Sequence, residues 1–219
     1  MGVGLGLLLY LVASLAAGWA ALRLEWQRTP QIGALLALAQ LCLLLPPLTI
    51  ITRYGNAARL LGLHRFHPRM LLEGVTLLGL GFCGMILWGL VLLPLGIQAQ
   101  EPIVPLFGDG LGALVSALAV GGVVAPIAEE VMFRGFLFAG LQKFLSPLAA
   151  VLGSAALFGA LHLQPFAFPV LFLLGILLAT LYYRTQSLWP PILMHLVVNV
   201  TAILAQYVAL QPELIPAAR

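Results

Sequence analysis

The chain has 219 residues, of which 62% are hydrophobic and 8% charged, and its formal net charge is +3. Soluble domains carry about 25% charged residues, so 10 basic and 7 acidic side chains cannot solvate a globule of this size. That excludes a soluble fold and, because disorder needs the opposite composition, an unstructured chain.

A helix crossing the hydrocarbon core needs about 20 mostly apolar residues, and about seven stretches meet that length. In chain order they are residues 2–22, 31–52, 70–97, 111–133, 147–163, 166–183 and 188–210. The fold class is therefore an all-α polytopic transmembrane bundle, read as a single membrane domain over residues 1–219. The first stretch lacks the basic start of a signal peptide and exceeds the usual apolar length, so it is expected to remain as a span. The opening Met1-Gly2-Val3-Gly4-Leu5-Gly6 lacks the Ser or Thr of a myristoylation signal. Trp19, Trp26, Tyr54, Trp189 and Tyr207 lie near span ends, where an aromatic belt would place them. Cys42 and Cys83 sit inside apolar runs and form neither a disulfide framework nor a metal-type spacing.

The nine arginines and Lys143 are scattered over short polar stretches. No basic patch exists for nucleic acid, and the charges read as topology. Arg53, Arg59, Arg65, Arg69, Arg134, Lys143 and Arg184 fall on one side of seven alternating helices, against Arg23, Arg28 and Arg219 on the other. Seven against three puts the N-terminus in the cytoplasm. The Arg-rich second connection suits anionic lipid headgroups. Glu73, just inside the third span, is expected to pair with a nearby loop arginine such as Arg69. His64 and His67 share that connection without an assigned role. Gly79-Leu80-Gly81-Phe82-Cys83-Gly84 has a nucleotide-loop spacing but no preceding strand, so close helix packing is the better account. No internal repeat is evident, which disfavours transporter architectures built from duplicated halves.

The ionisable residues of the C-terminal half fall into three patterns. In Glu129-Glu130-Val131-Met132-Phe133-Arg134, Glu130 and Arg134 share a helical face and can pair. Glu129, turned about 100° away, has no partner in its own helix. The same run also fits the solvated cytoplasmic end of a span. Phe158-Gly159-Ala160-Leu161-His162 places a histidine near the end of an apolar run, where an interfacial residue would also sit. His195 and Asn199 project from one face, as a site would need and as polar glue between helices would too. A charge at mid-span costs about 2.5–3.5 kcal/mol on insertion scales, which sets the joint presence of all three patterns apart.

Ser146-Pro147 marks a turn, with Glu129 and His162 each about 24 Å from it along antiparallel helices. His195 lies only about 10 Å into its own helix. Helices entering from one surface would leave His195 too shallow. The conflict eases if residues 136–146 project into the cytosol or lie along the interface. Pro126 is expected to kink the approach to the motif.

These patterns resemble the CAAX protease and bacteriocin-processing family (CPBP, also called ABI), whose signature is E-E-x-x-x-R, then F-x-x-x-H, then H-x-x-x-N. The matching residues run from Glu129 to Asn199, about a third of the chain, within a motif-bearing core at 111–210 formed by the C-terminal four spans. Gly135 also agrees with the family's usual wording. The resemblance implies an intramembrane endopeptidase in which Glu129 and His162 hold and activate water, with Glu129 as general base. His195 and Asn199 would form the oxyanion site, with Glu130, Arg134 and Phe158 in support. It favours water activation by glutamate without a metal. Were zinc present, Glu129, His162 and His195 would be its ligands.

The expected substrate is a membrane-associated protein or peptide: a prenylated tail, a leader peptide or a sorting tail. The expected home is a prokaryotic plasma membrane, which disfavours the prenylated tail. The alternative is a non-enzymatic membrane protein, either a proton-coupled transporter or a partner subunit of an export or signalling complex. Intramembrane Glu and His also suit proton relays. A transporter needs a continuous polar path, and the N-terminal spans supply almost no polar lining.

Overall fold

The computed structural model describes residues 12, 30–48, 56, 61–63 and 66–211. Apart from Val12, the expected span at 2–22 lies outside the described residues, as do Trp19, Trp26, Tyr54, His64 and the loop arginines Arg53, Arg59 and Arg65. Among the described residues the regular structure is entirely helical. Helix α1 is Pro30–Cys42, α2 is Pro68–Leu92, and α3 is the 32-residue helix Gly110–Leu141. Helices α4 (Pro147–Ala160), α5 (Phe168–Thr185) and α6 (Trp189–Ala209) follow.

Among the described residues, four helices are long and apolar enough to cross a membrane: Pro68–Leu95, Gly110–Leu141, Phe168–Thr185 and Trp189–Ala209. They correspond to the expected third, fourth, sixth and seventh spans. The second and fifth expected spans are shorter apolar helices, Gly33–Leu48 and Pro147–Ala160. Helix α4 has 14 residues, or about 21 Å at 1.5 Å per residue, which falls short of the bilayer core. Composition and these helices make the chain an integral membrane protein. Helix α2 shows its environment most directly, because Leu72, Val75, Leu80, Ile86, Leu87 and Leu90 are all exposed. In water such a face would be a liability; in lipid it is the solvated face.

Local chemistry sets the helix ends. Ser146 caps α4 by accepting from the Ala149 N–H at 3.3 Å, and Pro147 follows in the first turn. His67 caps α2 in the same way, its Nδ1 accepting from the Arg69 N–H at 3.2 Å ahead of Pro68. Pro126 lies in α3 between two wide-turn segments, Leu118–Val124 and Val131–Phe138. Where a kink is expected at this proline, the structure has π-type turns on both sides of it, a form that often marks functional sites.

Glycines set the closest approaches. Across from α2, Gly74 faces Met194 and Leu181, Gly81 faces Leu177 and Gly84 faces Leu173, so two glycines of the expected run pack against α5, while Gly79 faces open space. Gly175 of α5 lies against the backbone of α4, and a Cβ there would stand 2.8 Å from Ala155 Cα. Overpacking typically costs about 1–3 kcal/mol, and here backbone cannot swing aside. Gly175→Ala is therefore expected to lower stability by roughly that amount, read as an earlier unfolding midpoint in detergent.

Antiparallel register brings the motifs to one level. Along α3 and α6, Gly135 sits opposite Leu188, Glu130 opposite His195, and Gly122 opposite Val200. Helix α3 then continues past the start of α6, so residues 136–141 extend the helix and only 142–146 form the turn. That overhang is why a histidine seven residues into α6 meets the Glu pair. Most of the stretch expected to project or to lie along the interface, residues 136–141, is thus a continuation of α3.

Candidate active site

The site forms where α3, α6 and the end of α4 meet around the Phe158 ring. Glu130 and Arg134, one helical turn apart, form an ion pair of 2.7 Å with both side chains fully buried. The pairing is the one their spacing implies, but the solvated-end reading does not apply to it. Arg134 is also no loop charge, which reduces the count of basic topology residues from seven to six against three. Its Nη2 donates to the Gly175 carbonyl at 3.3 Å, and its guanidinium lies 4.7 Å from the centre of the Phe158 ring. Arg134 thereby ties α3 to α5 and α4.

His195 is buried between both carboxylates. Its Nδ1 lies 2.8 Å from Glu130 Oε1, and its Nε2 lies 3.7 Å from Glu129 Oε2. The second separation exceeds hydrogen-bond length. Glu129 is 5% exposed, and its Oε2 accepts no hydrogen bond from the described residues. A buried carboxylate oxygen with a free lone pair is what a general base requires.

His162 lies just past the end of α4 and is half-buried. Its Nδ1 is 2.8 Å from the Phe158 carbonyl. A carbonyl only accepts, so Nδ1 carries the proton and a neutral ring presents a bare Nε2. The next residue, Leu163, has φ of 56°, a left-handed conformation that costs a non-glycine residue about 1–3 kcal/mol and concentrates at functional sites. Phe158 contacts both rings edge-on, at 4.9 Å for His162 and 5.7 Å for His195. Phe133 meets Phe158 at 5.2 Å, and from that pair α3 runs back towards Glu129 while the chain of α4 runs on towards His162.

Asn199 is half-buried, one turn beyond His195, and its Nδ2 donates to Gly121 O at 2.8 Å within the first wide-turn segment of α3. One of its two N–H bonds therefore ties α6 to α3, and one is left for another acceptor. Glu73 pairs with Arg184 at 2.9 Å, not with Arg69, because the start of α2 lies beside the end of α5. Among the described residues, no three His, Cys, Asp or Glu side chains are arranged to hold a metal ion. The zinc set Glu129, His162 and His195 is not brought together as ligands.

Residues 111–201 match the model of the family described as type II CAAX prenyl endopeptidase Rce1-like. The curated "Putative membrane peptidase YdiL" of Bacillus subtilis (strain 168) is 32% identical over 98 residues, covering 45% of this chain and 40% of that protein. The match therefore spans less than half the length of that relative. No solved structure matches significantly. Over residues 111–201, which hold every motif residue from Glu129 to Asn199, the chain resembles the Rce1-like CAAX prenyl endopeptidases, as its three motifs do.

Proposed function

We propose that the chain is an intramembrane endopeptidase that hydrolyses a peptide bond in a membrane-associated protein or peptide. The observation that carries this reading is the buried convergence of Glu129, Glu130 and His195, inside the segment that matches the endopeptidase family. Glu129 and the bare Nε2 of His162 hold a water molecule between α3 and α4. Glu129 takes one proton from it while its oxygen adds to the scissile carbonyl carbon. The oxyanion accepts from a proton carried on His195 Nε2 and from the second Nδ2–H of Asn199, in a site where such donors are strong because water is scarce. Glu129 then gives its proton to the leaving nitrogen as the C–N bond breaks. Every atom of the added water is thus placed, and the chemistry needs no further reactant.

Glu129, His162, His195 and Asn199 are the catalytic residues of this reading. Arg134 and Phe158 support them, and no resident metal takes part. The substrate class is a protein or peptide held at the membrane by its tail or leader, and the setting is a prokaryotic plasma membrane with the N-terminus cytoplasmic.

The test is a comparison of membrane-proteome termini from cells carrying wild type, Glu129→Gln or His162→Ala. Cleavage products absent from both variants, with insertion intact, support the reading and identify the substrate. Unchanged termini under conditions where the protein is needed overturn it.

A further inference from the structure

The resemblance gives the second glutamate a supporting role without saying which group it supports. Glu130 Oε1 lies 2.7 Å from Arg134 Nη1 and 2.8 Å from His195 Nδ1, with all three side chains at 0–2% exposure. Arginine always donates, and a carboxylate paired with it only accepts. The proton between Glu130 and His195 therefore sits on Nδ1.

We propose that Glu130 is a positioning residue that fixes the Nδ1–H tautomer of His195, and that Arg134, anchored on the Gly175 carbonyl, holds Glu130 in place for it. The relay runs from α5 through α3 to α6 and ends at the nitrogen that faces Glu129. With Nδ1–H held, Nε2 is the one ring atom His195 presents to the site. A second proton on Nε2 makes the ring a donor, and the Glu130 carboxylate offsets the positive charge that results. A positioned carboxylate orients and stabilises a catalytic histidine in the same way in serine protease triads.

The inference rests on the proposed function only for its purpose, since the tautomer itself is a property of the resting protein. The geometry also distinguishes the two acids of the motif. Glu130 Oε1 has both its neighbours at hydrogen-bond length, whereas Glu129 has His195 at 3.7 Å; Oε2 of each acid accepts no hydrogen bond from the described residues. One acid holds the histidine, and the other is left for the substrate side.

The experiment is nitrogen-15 NMR of histidine-labelled full-length protein in lipid nanodiscs, where four histidines give four ring patterns. Single replacements of His64, His67 and His162 assign the remaining pattern to His195. The wild type is expected to show His195 protonated at Nδ1, whether or not Nε2 is also protonated. In Glu130→Met/Arg134→Met, which leaves no charge of the pair behind, the proton is expected to move to Nε2, opposite Glu129. The His162 pattern, fixed by the Phe158 carbonyl, should persist and report a folded bundle. A bare Nδ1 on His195 in the wild type overturns the proposal whether or not the variant folds. So does a folded double variant that keeps Nδ1–H. Neither result depends on proteolysis, so failure here and failure of the proposed function are separate outcomes.

Discussion

Glu129→Gln is expected to reduce peptide-bond cleavage by a factor of about 10²–10⁴, the usual contribution of a positioned general base, while leaving the bundle folded. The two side chains have the same shape, and Glu129 Oε2 accepts no hydrogen bond that an amide would forfeit. His195 Nε2, at 3.7 Å, is too distant for its loss to matter structurally. The change therefore removes proton affinity and one buried negative charge beside His195, and leaves the shape of the site. The measurement is the turnover of a cleaved membrane peptide by purified protein, beside its unfolding midpoint. Turnover within a factor of about 3 of wild type would place the base elsewhere, since so small a change lies far below what a general base contributes. The mirror-image result, activity lost together with stability, would make Glu129 a structural acid. Glu130→Gln cannot serve as the same test, because Glu130 carries two short contacts and a substitution there disturbs Arg134 and His195 together.

The long elements of this fold are readable because hydropathy over a span is a sum of many small terms, and α2, α3, α5 and α6 all lie where that sum is high. The apolar run of α4 continues through Leu161 and Leu163 and so has the length of a span, but the helix ends at Ala160. Leu163 turns left-handed there, and nothing in its side chain announces that conformation. The Glu130–Arg134 pair follows from spacing alone, since residues four apart on a helix always share a face. The bond from Glu130 to His195 crosses 65 residues and depends on the register of α3 against α6. That register in turn depends on α3 overrunning the start of α6, which apolar content could not distinguish from a loop. The partner of Glu73 was missed for a related reason. Arg184 is distant in sequence, and only the packing of α2 on α5 brings it closer than Arg69. Asn199 was legible as a companion of His195, but its bond to Gly121 requires a carbonyl on another helix, supplied in a wide-turn segment of α3.

Replacing Arg134 by Met is expected to cost about 3–5 kcal/mol of stability, the usual consequence of breaking a buried pair from one side. Three contacts disappear together: the 2.7 Å bond to Glu130, the bond to the Gly175 carbonyl and the stacking on Phe158. The larger part of the cost is not the lost attraction. Glu130 remains fully buried, now with His195 as its sole described hydrogen-bonding partner, and an uncompensated carboxylate in an apolar bundle has no water to turn to. A second change should therefore recover much of the first. Adding Glu130→Met removes the stranded charge, and a buried pair replaced by apolar side chains of similar volume is often neutral or better. The double variant is expected to be more stable than Arg134→Met alone, a non-additivity that residues in direct contact show and distant ones do not. Arg134→Lys should fall between, because an ammonium supplies the charge for Glu130 but lacks the planar fork that also reaches Gly175. Unfolding midpoints of the four proteins in one detergent decide the matter. A single variant within about 1 kcal/mol of wild type would show the pair to be solvated after all, since that is the range of exposed ion pairs. Equal losses from the single and double variants would assign the stability to the contacts with Gly175 and Phe158, and Glu130 would then be held by His195.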